Sequence, residues 1–325
     1  MRSGPRAAQV RPAKGGRASH GNNKDQRMSG VRLGFIGLGN MGGRMTRRLV
    51  EGGMPVIGYD RDEGAASRFG ATKAGSVRAV MEQADIVLLS LPDSAVIENV
   101  VEGEDGILEH VRAGQVVADM STASAASTRR LASMLSQKRA FFVDAGISGG
   151  AAAAEKGTLT LMVGGNPEAI QSLEPVFALI AAKVIVMGES GAGHTAKLLN
   201  NFLNAVSLAA TAEVMVAARK AGLDLHRLLD VLNASSGVNF ATLNRFPKIV
   251  DGDYLEGGLT SKLMTKDVLL YCDLLHQLGV ASLNSSGPMA SFGLATALGY
   301  GDVISNRVVD AIGDISGGVR LYQKD

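Results

Sequence analysis

Lys197 and Asn201 stand four residues apart in the stretch Gly191-Ala192-Gly193-His194-Thr195-Ala196-Lys197-Leu198-Leu199-Asn200-Asn201. On a helix that spacing puts an ammonium and a carboxamide on one face. Two such groups converging on one oxygen atom suit the interconversion of an alcohol and a carbonyl, with Lys197 as general acid/base and Asn201 as its partner. Most lysines are simply solvated, so the pair has weight only if neighbouring elements build a site around it.

A second segment with chemistry in it is Gly37-Leu38-Gly39-Asn40-Met41-Gly42, which follows the apolar run 31–36 and leads into a helical pattern from Arg44 to Glu51. In a strand-turn-helix context the first glycine makes the tight turn, and the second lets a pyrophosphate approach the backbone. The third allows close helix-strand packing, while the helix start offers free N–H groups to an anion. The pattern predicts a dinucleotide site at Gly37, Leu38, Gly39, Asn40, Met41 and Gly42. Asp60, at the end of the next apolar run, lies where an acid takes the adenosine ribose hydroxyls, which favours NAD. Arg61 beside it is placed to hold a 2′-phosphate, so NADP stays open.

Leu91-Pro92 and Ser121-Thr122 end the third and fourth apolar runs, and carboxyl ends of strands are where open α/β sheets bind ligands. Leu91 and Pro92 are expected to line the nucleotide cleft and Thr122 to reach the nicotinamide ribose or amide. In Asp144-Ala145-Gly146-Ile147-Ser148-Gly149-Gly150, the Ser148 hydroxyl and the bare N–H groups of Gly149 and Gly150 make a pocket for a carboxylate or phosphate. A flexible loop is the plain alternative.

Short apolar runs at 31–36, 55–59, 85–91, 115–120 and 140–144 alternate with helix-length segments. This predicts repeated βαβ units and a parallel sheet covered on both faces. Runs at 159–163 and 183–187 add two strands, and Asn166-Pro167-Glu168 reads as a helix start. After Gly193 helical spacing takes over, and one helix of roughly eighteen residues or more is implied, followed by helical segments at 224–233, 259–278 and 288–298. The fold class expected is α/β: a Rossmann-type doubly wound sheet over 31–192, then an all-α domain over 193–325 for substrate and oligomerisation, joined by the long helix. That helix is so apolar that it should pack between domains or against a second subunit.

Composition narrows the class. The chain has 325 residues, 46% hydrophobic and 20% charged, enough for large cores. Residues 1–30 carry seven basic side chains against one acid, so the net charge of +2 leaves the remainder at −4. A nucleic-acid groove on such a body is not expected. The basic segment reads as a disordered tail, a tag or start-site artefact, without the apolar core of a secretory signal. No run reads as a membrane span, and one cysteine, Cys272, fits a reducing compartment, so a cytoplasmic address is expected. His110, His226 and His276 have no metal-ligand spacing with one another, so no metal is expected. Cys272 reads as a core residue and His194 as a residue at the helix start.

From Val31 to about Gly313 the pieces together resemble the β-hydroxyacid dehydrogenases, typified by 3-hydroxyisobutyrate dehydrogenase and the tartronate semialdehyde and glyoxylate reductases. The ordered matches are the GFIGLGxMG-like opening at 34–42, Leu91-Pro92, Ser121-Thr122, the DxxxSGG segment at 144–150, the GTLTxMVGG-like run at 157–165, the GxGxxxKxxNN helix start, and Lys266-Asp267. The resemblance implies Lys197 as the catalytic lysine, Asn201 as its partner, and Ser148, Gly149 and Gly150 on the substrate acid group. It implies Lys266 closing over the cofactor and a helical domain that completes the site and a homodimer or homotetramer interface. Two departures stand out. Gly146 occupies a position where the family commonly has proline and resembles the 6-phosphogluconate dehydrogenase version, although this chain lacks the large helical region of those enzymes. Val96 stands where some relatives carry a polar residue near the cofactor.

The expected reaction is reversible oxidation of a small anionic β-hydroxy acid with NAD or NADP, hydride passing to the nicotinamide as Lys197 takes the hydroxyl proton. Free lysine titrates near 10.4, so acting as a base requires burial or a positive neighbour, whereas reduction uses the ammonium directly. The competing reading is a catalytically idle dinucleotide-binding sensor or scaffold of the same fold.

Overall fold

The computed structural model describes residues 30–322, so the expectation for the basic tail lies, but for Gly30, outside the described residues. Eight strands form one sheet: β1 (Leu33–Ile36), β2 (Val56–Tyr59), β3 (Thr72–Lys73), β4 (Ile86–Leu89), β5 (Val116–Asp119), β6 (Phe141–Ser148), β7 (Leu159–Gly164) and β8 (Ala181–Gly188). Their spatial order is β3-β2-β1-β4-β5-β6-β7-β8. The connecting helices are α1 (Asn40–Glu51), α2 (Ala65–Arg68), α3 (Val77–Gln83), α4 (Ser94–Glu102), α5 (Ile107–His110), α6 (Ala125–Gln137), α7 (Gly150–Lys156), α8 (Pro167–Ser172) and α9 (Glu174–Ile180). Every residue of β1, β4 and β5 is buried, because helices cover both faces. Consecutive side chains point to opposite sides: Phe35 joins a core with Met45, Leu49 and Phe177, while Ile36 joins one with Val87, Leu131 and Phe142.

One pairing departs from the expected parallel sheet. β7 runs antiparallel to β6, with Gly146 opposite Met162. Only ten residues separate the two strands, fewer than the dozen or so that a parallel crossover needs, so the chain returns in the opposite sense. β8 then pairs parallel to β7 and forms an edge, leaving Val184, Ile185, Val186 and Met187 exposed. At this end the sheet is not covered on both sides.

From Ala192 onward the described chain is helical: α10 (Ala192–Lys220), α11 (Leu225–Asn233), α12 (Phe240–Asn244), α13 (Phe246–Ile249), α14 (Ser261–Leu278), α15 (Ser286–Ala295) and α16 (Val308–Ile315). The sequence pattern missed α12, α13 and α16, which are short and lack a long periodic stripe. At 29 residues, α10 is much longer than the minimum expected. It has the length and apolarity of a membrane span, contrary to the expectation that no segment reaches them, yet 56% of its most apolar window is buried. Ala205, Leu208, Ala212 and Met215 form the spine of a third core with Phe246, Phe292 and Val308, which is why a helix in the fold's interior carries so few charges.

Candidate active site

The glycine-rich loop has the geometry its spacing predicts. Gly37 has φ +88°, and a Cβ there would lie 2.3 Å from the Ser90 carbonyl oxygen. A Cβ on Gly42 would fall 1.9 Å from the Gly37 oxygen, so the first and third glycines are fixed by close packing. At Gly39 a Cβ would meet nothing within 4 Å. Open space at the second glycine, at the start of α1, is what a pyrophosphate lying on the backbone requires. Leu38 is buried and Met41 partly buried against the first core. The Asn40 amide donates to the Gly257 carbonyl at 2.7 Å, joining this loop to the helical half.

Asp60 accepts the Leu38 N–H at 2.6 Å through Oδ2 and the Asp62 N–H at 2.8 Å through Oδ1. An ionised carboxylate still has lone pairs for two ribose hydroxyls. Arg61 beside it is exposed. Leu91 and Val96 are partly buried and Pro92 exposed; the Leu91 N–H donates to Ser121 Oγ at 2.9 Å, and the Val96 N–H donates to Asp93 as that residue caps α4.

Asp144, on β6, anchors the second constellation. Its Oδ1 accepts the Gly191 N–H at 2.7 Å and its Oδ2 the His194 N–H at 2.8 Å, so a carboxylate from the sheet occupies the positive end of α10. The helix sits so close to the strand that a Cβ on Gly193 would lie 2.4 Å from the Met162 oxygen. Ser148 at the end of β6 is partly buried; Gly149 (φ +126°) and Gly150 (φ +69°) are exposed at the start of α7.

One turn into α10, Lys197 is 9% exposed and Asn201 is 4% exposed. Burial pulls the Lys197 ammonium down to about 8, opposed by the nearby Asp267 carboxylate and assisted by the Lys266 charge. Asn201 donates a short hydrogen bond to Asp267. Lys266 pairs with Asp267 at 3.0 Å and donates to the Thr122 carbonyl at 2.7 Å. One polar chain therefore runs from the carboxyl end of β5, through α14, to the Lys197 face of α10. Lys266, expected to close over the cofactor, here latches the two halves through a backbone oxygen.

His194 is fully buried, and its role is larger than that of a residue at a helix start. Thr128 Oγ1 donates its proton to the Ser124 carbonyl at 3.0 Å, so at 2.7 Å it accepts from His194 Nδ1–H. His194 Nε2 faces Asp119 Oδ2 at 3.8 Å, and burial pushes the Asp119 carboxyl up. Asp119 stands out in no sequence pattern because its partner lies far along the chain, and Asp267 appears there only as the neighbour of Lys266, with no role of its own. Cys272 packs against the helical core as expected. His110, unpaired with other histidines, gathers instead with Asp105 and Glu109, bonding Asp105 at 2.7 Å.

Residues 32–188 match the family model for the NAD-binding domain of 6-phosphogluconate dehydrogenase. Residues 191–309 match the one for the NAD-binding region of NADP-dependent 3-hydroxyisobutyrate dehydrogenase. The chain is 35% identical over 242 residues to 2-(hydroxymethyl)glutarate dehydrogenase of Eubacterium barkeri, covering 73% of this chain and 80% of that one. It is 37% identical over 250 residues to the mitochondrial 3-hydroxyisobutyrate dehydrogenase of Rattus norvegicus, covering 74% and 75%. Among solved structures, Mycobacterium tuberculosis 3-hydroxyisobutyrate dehydrogenase with L-serine superposes with a TM-score of 0.77 at 29% identity, over 86% of this chain and 98% of that one. A glycine loop with room for a pyrophosphate, followed by a buried lysine on the long helix, accords with these matches, and the chain belongs to the β-hydroxyacid dehydrogenase family of NAD(P)-dependent oxidoreductases acting on CH–OH groups.

Proposed function

We propose that this protein interconverts a small β-hydroxy acid and its semialdehyde or keto acid, with Lys197 as the general acid/base. The observation that carries this reading is a buried lysine drawn down to about 8 beside the Asn201–Asp267 pair, where the nucleotide sheet meets the helical half. The nicotinamide, when bound, supplies the hydride acceptor or donor. In oxidation neutral Lys197 takes the hydroxyl proton, and in reduction its ammonium returns one. Asp267 fixes the Asn201 amide so that it orients the reacting oxygen; Ser148, the N–H groups of Gly149 and Gly150, and Thr122 hold the acid group. Relatives named for 2-(hydroxymethyl)glutarate and 3-hydroxyisobutyrate share a hydroxymethyl group next to a carboxylate, which is the substrate class proposed. Turnover of hydroxymethyl acids with either cofactor is the test. A broad panel giving no turnover despite tight cofactor binding would leave the idle sensor or scaffold.

The pH dependence follows from the lysine. Its pKa is lowered, so the neutral form appears near pH 8. Oxidative kcat should rise with an apparent pKa of about 8 and reductive kcat fall through the same value. Matched profiles in the two directions are the check; an oxidative rate flat from pH 7 to 9, with chemistry rate-limiting, would remove Lys197 as the base.

We also propose NAD as the preferred cofactor, because the Asp60 carboxylate at the loop repels a 2′-phosphate. The ratio of kcat/KM for NAD over NADP is expected to be at least about tenfold, and Asp60→Ser should reduce it by a similar factor. A wild-type preference for NADP would overturn the assignment and favour Arg61 as its phosphate partner. A cytoplasmic address and a homodimer or homotetramer complete the reading, the latter supported by exposed Leu199, Leu203 and Val214 along α10.

A further inference from the structure

Three arginines in the helical half present a contrast. Arg307 pairs with Glu256 at 3.2 Å and Asp310 at 3.0 Å. Arg320 pairs with Asp314 and lies 3.9 Å from Asp310. Arg245, between α12 and α13, has no carboxylate within 4.0 Å among the described residues, although it is the one whose burial most disfavours its charge, pulling the guanidinium down to about 10. Its Nη1 donates to Asn306 Oδ1 at 2.8 Å and its Nη2 to Asn204 Oδ1 at 3.0 Å. Asn306 is 2% exposed and tied to the Tyr254 carbonyl at 2.8 Å, so that acceptor is fixed. The Phe240 ring lies 5.7 Å from the guanidinium carbon. A guanidinium has five N–H donors, so three are left without a protein acceptor among the described residues. A partly buried cation held by neutral amides lacks the counter-charge that burial ordinarily demands.

Asn204 says where this cation stands. At 100° per residue it lies within about 20° of Lys197 around α10 and about 10.5 Å further along the axis. Lys197, Asn201, Asn204 and Arg245 thus form one polar line: the first is the proposed acid/base and the last an unpaired guanidinium. We propose that Arg245 receives a second anionic group of the substrate, so that the preferred hydroxy acids are those with a distal carboxylate or equivalent anion about three or four bonds (~1.5 Å each) from the reacting carbon. With hydrogen bonds of about 3 Å at either end, such a molecule matches the ~10.5 Å that separates positions 197 and 204 along the helix, where Asn204 holds the guanidinium. Arg245 is planar and doubly anchored, so it offers a carboxylate the paired donors of a bidentate contact.

This inference rests on the β-hydroxy-acid reading, and the test separates the two. Steady-state kinetics compare 2-(hydroxymethyl)glutarate with 2-(hydroxymethyl)pentanoate, which replaces the distal carboxylate by a methyl group. Wild-type protein should favour the diacid by at least about tenfold in kcat/KM, chiefly through KM. Arg245→Gln should bring that ratio toward 1, and Arg245→Lys should leave it in between, each variant being checked for folding by its melting temperature. A wild-type ratio near 1 overturns the proposal, as does an unchanged ratio in both variants. If both rates fall together in Arg245→Gln while sedimentation shows a changed oligomer, the missing anion belongs to a second subunit and the proposal fails. Turnover of neither acid, together with turnover of no other hydroxy acid, removes the underlying reading and this inference with it.

Discussion

Lys197→Met should lower kcat by about 10²- to 10⁴-fold, the usual worth of a positioned general acid/base, while cofactor affinity stays within a few-fold. Lys197 lies on α10, and the glycine loop that faces the cofactor lies at β1 and α1. Methionine keeps the length of the stem and removes only the charge. The same variant should be more stable than wild type at neutral pH. Lys197 has a folded pKa of about 8 against an ordinary value of 10.5, so between those values the unfolded chain binds more protons than the folded one. Wild-type stability therefore rises with pH across that window as the buried charge is relieved. A shift of this size corresponds to about 3 kcal/mol at most. Denaturant unfolding at pH 7 and pH 10.5 is the check: the advantage of the methionine variant should be largest at pH 7 and shrink toward pH 10.5. An active Lys197→Met protein would remove the lysine from the mechanism; a stability difference independent of pH would mean that the ammonium is solvated.

Gly146→Ala is expected to have the second-largest effect. A Cβ on residue 146 would lie 2.6 Å from Lys197 Cβ and 3.0 Å from its Cγ. The opposing atoms belong to the base of a stem on a helix whose start Asp144 and Gly193 fix to the same strands, so neither side can yield cheaply. Either the lysine moves or α10 shifts. The cost should be about 1–3 kcal/mol in stability and at least about tenfold in kcat, since small misplacements of a reacting group are expensive. Cofactor KM should change little. A kcat within twofold of wild type would show that the stem has room. In the sequence Gly146 reads as a departure from the family pattern; its physical consequence lies at the acid/base itself.

Much of the fold was legible because its determinants are local. Apolar runs, glycine punctuation and an Asn-Pro-Glu helix start depend on neighbours in the chain, and they gave the strands of the sheet apart from the two-residue β3, together with the starts of α8 and α10, whereas β6 runs on to Ser148 and α1 begins earlier than expected, at Asn40. The reversal of β7 was latent in a connection too short for a crossover, but a run of apolar residues carries no direction. The short helices α12, α13 and α16 lacked enough turns to show a period.

The site divides the same way. The sequence by itself determined which residue types stand at the turn, the anion pocket and the helix face, since the spacings of Gly37, Gly39 and Gly42, of Ser148 to Gly150, and of Lys197 and Asn201 are properties of single segments. Only the tertiary structure decided that Lys197 is buried, that Asp267 holds Asn201, that Asp144 caps α10, and that Arg245 has, among the described residues, two amides and no carboxylate for company. Those facts depend on residues 41 to 66 positions apart being brought together. Electrostatic effects follow distance and burial rather than order along the chain, so a lone sequence names the charged groups and leaves their strength to the fold.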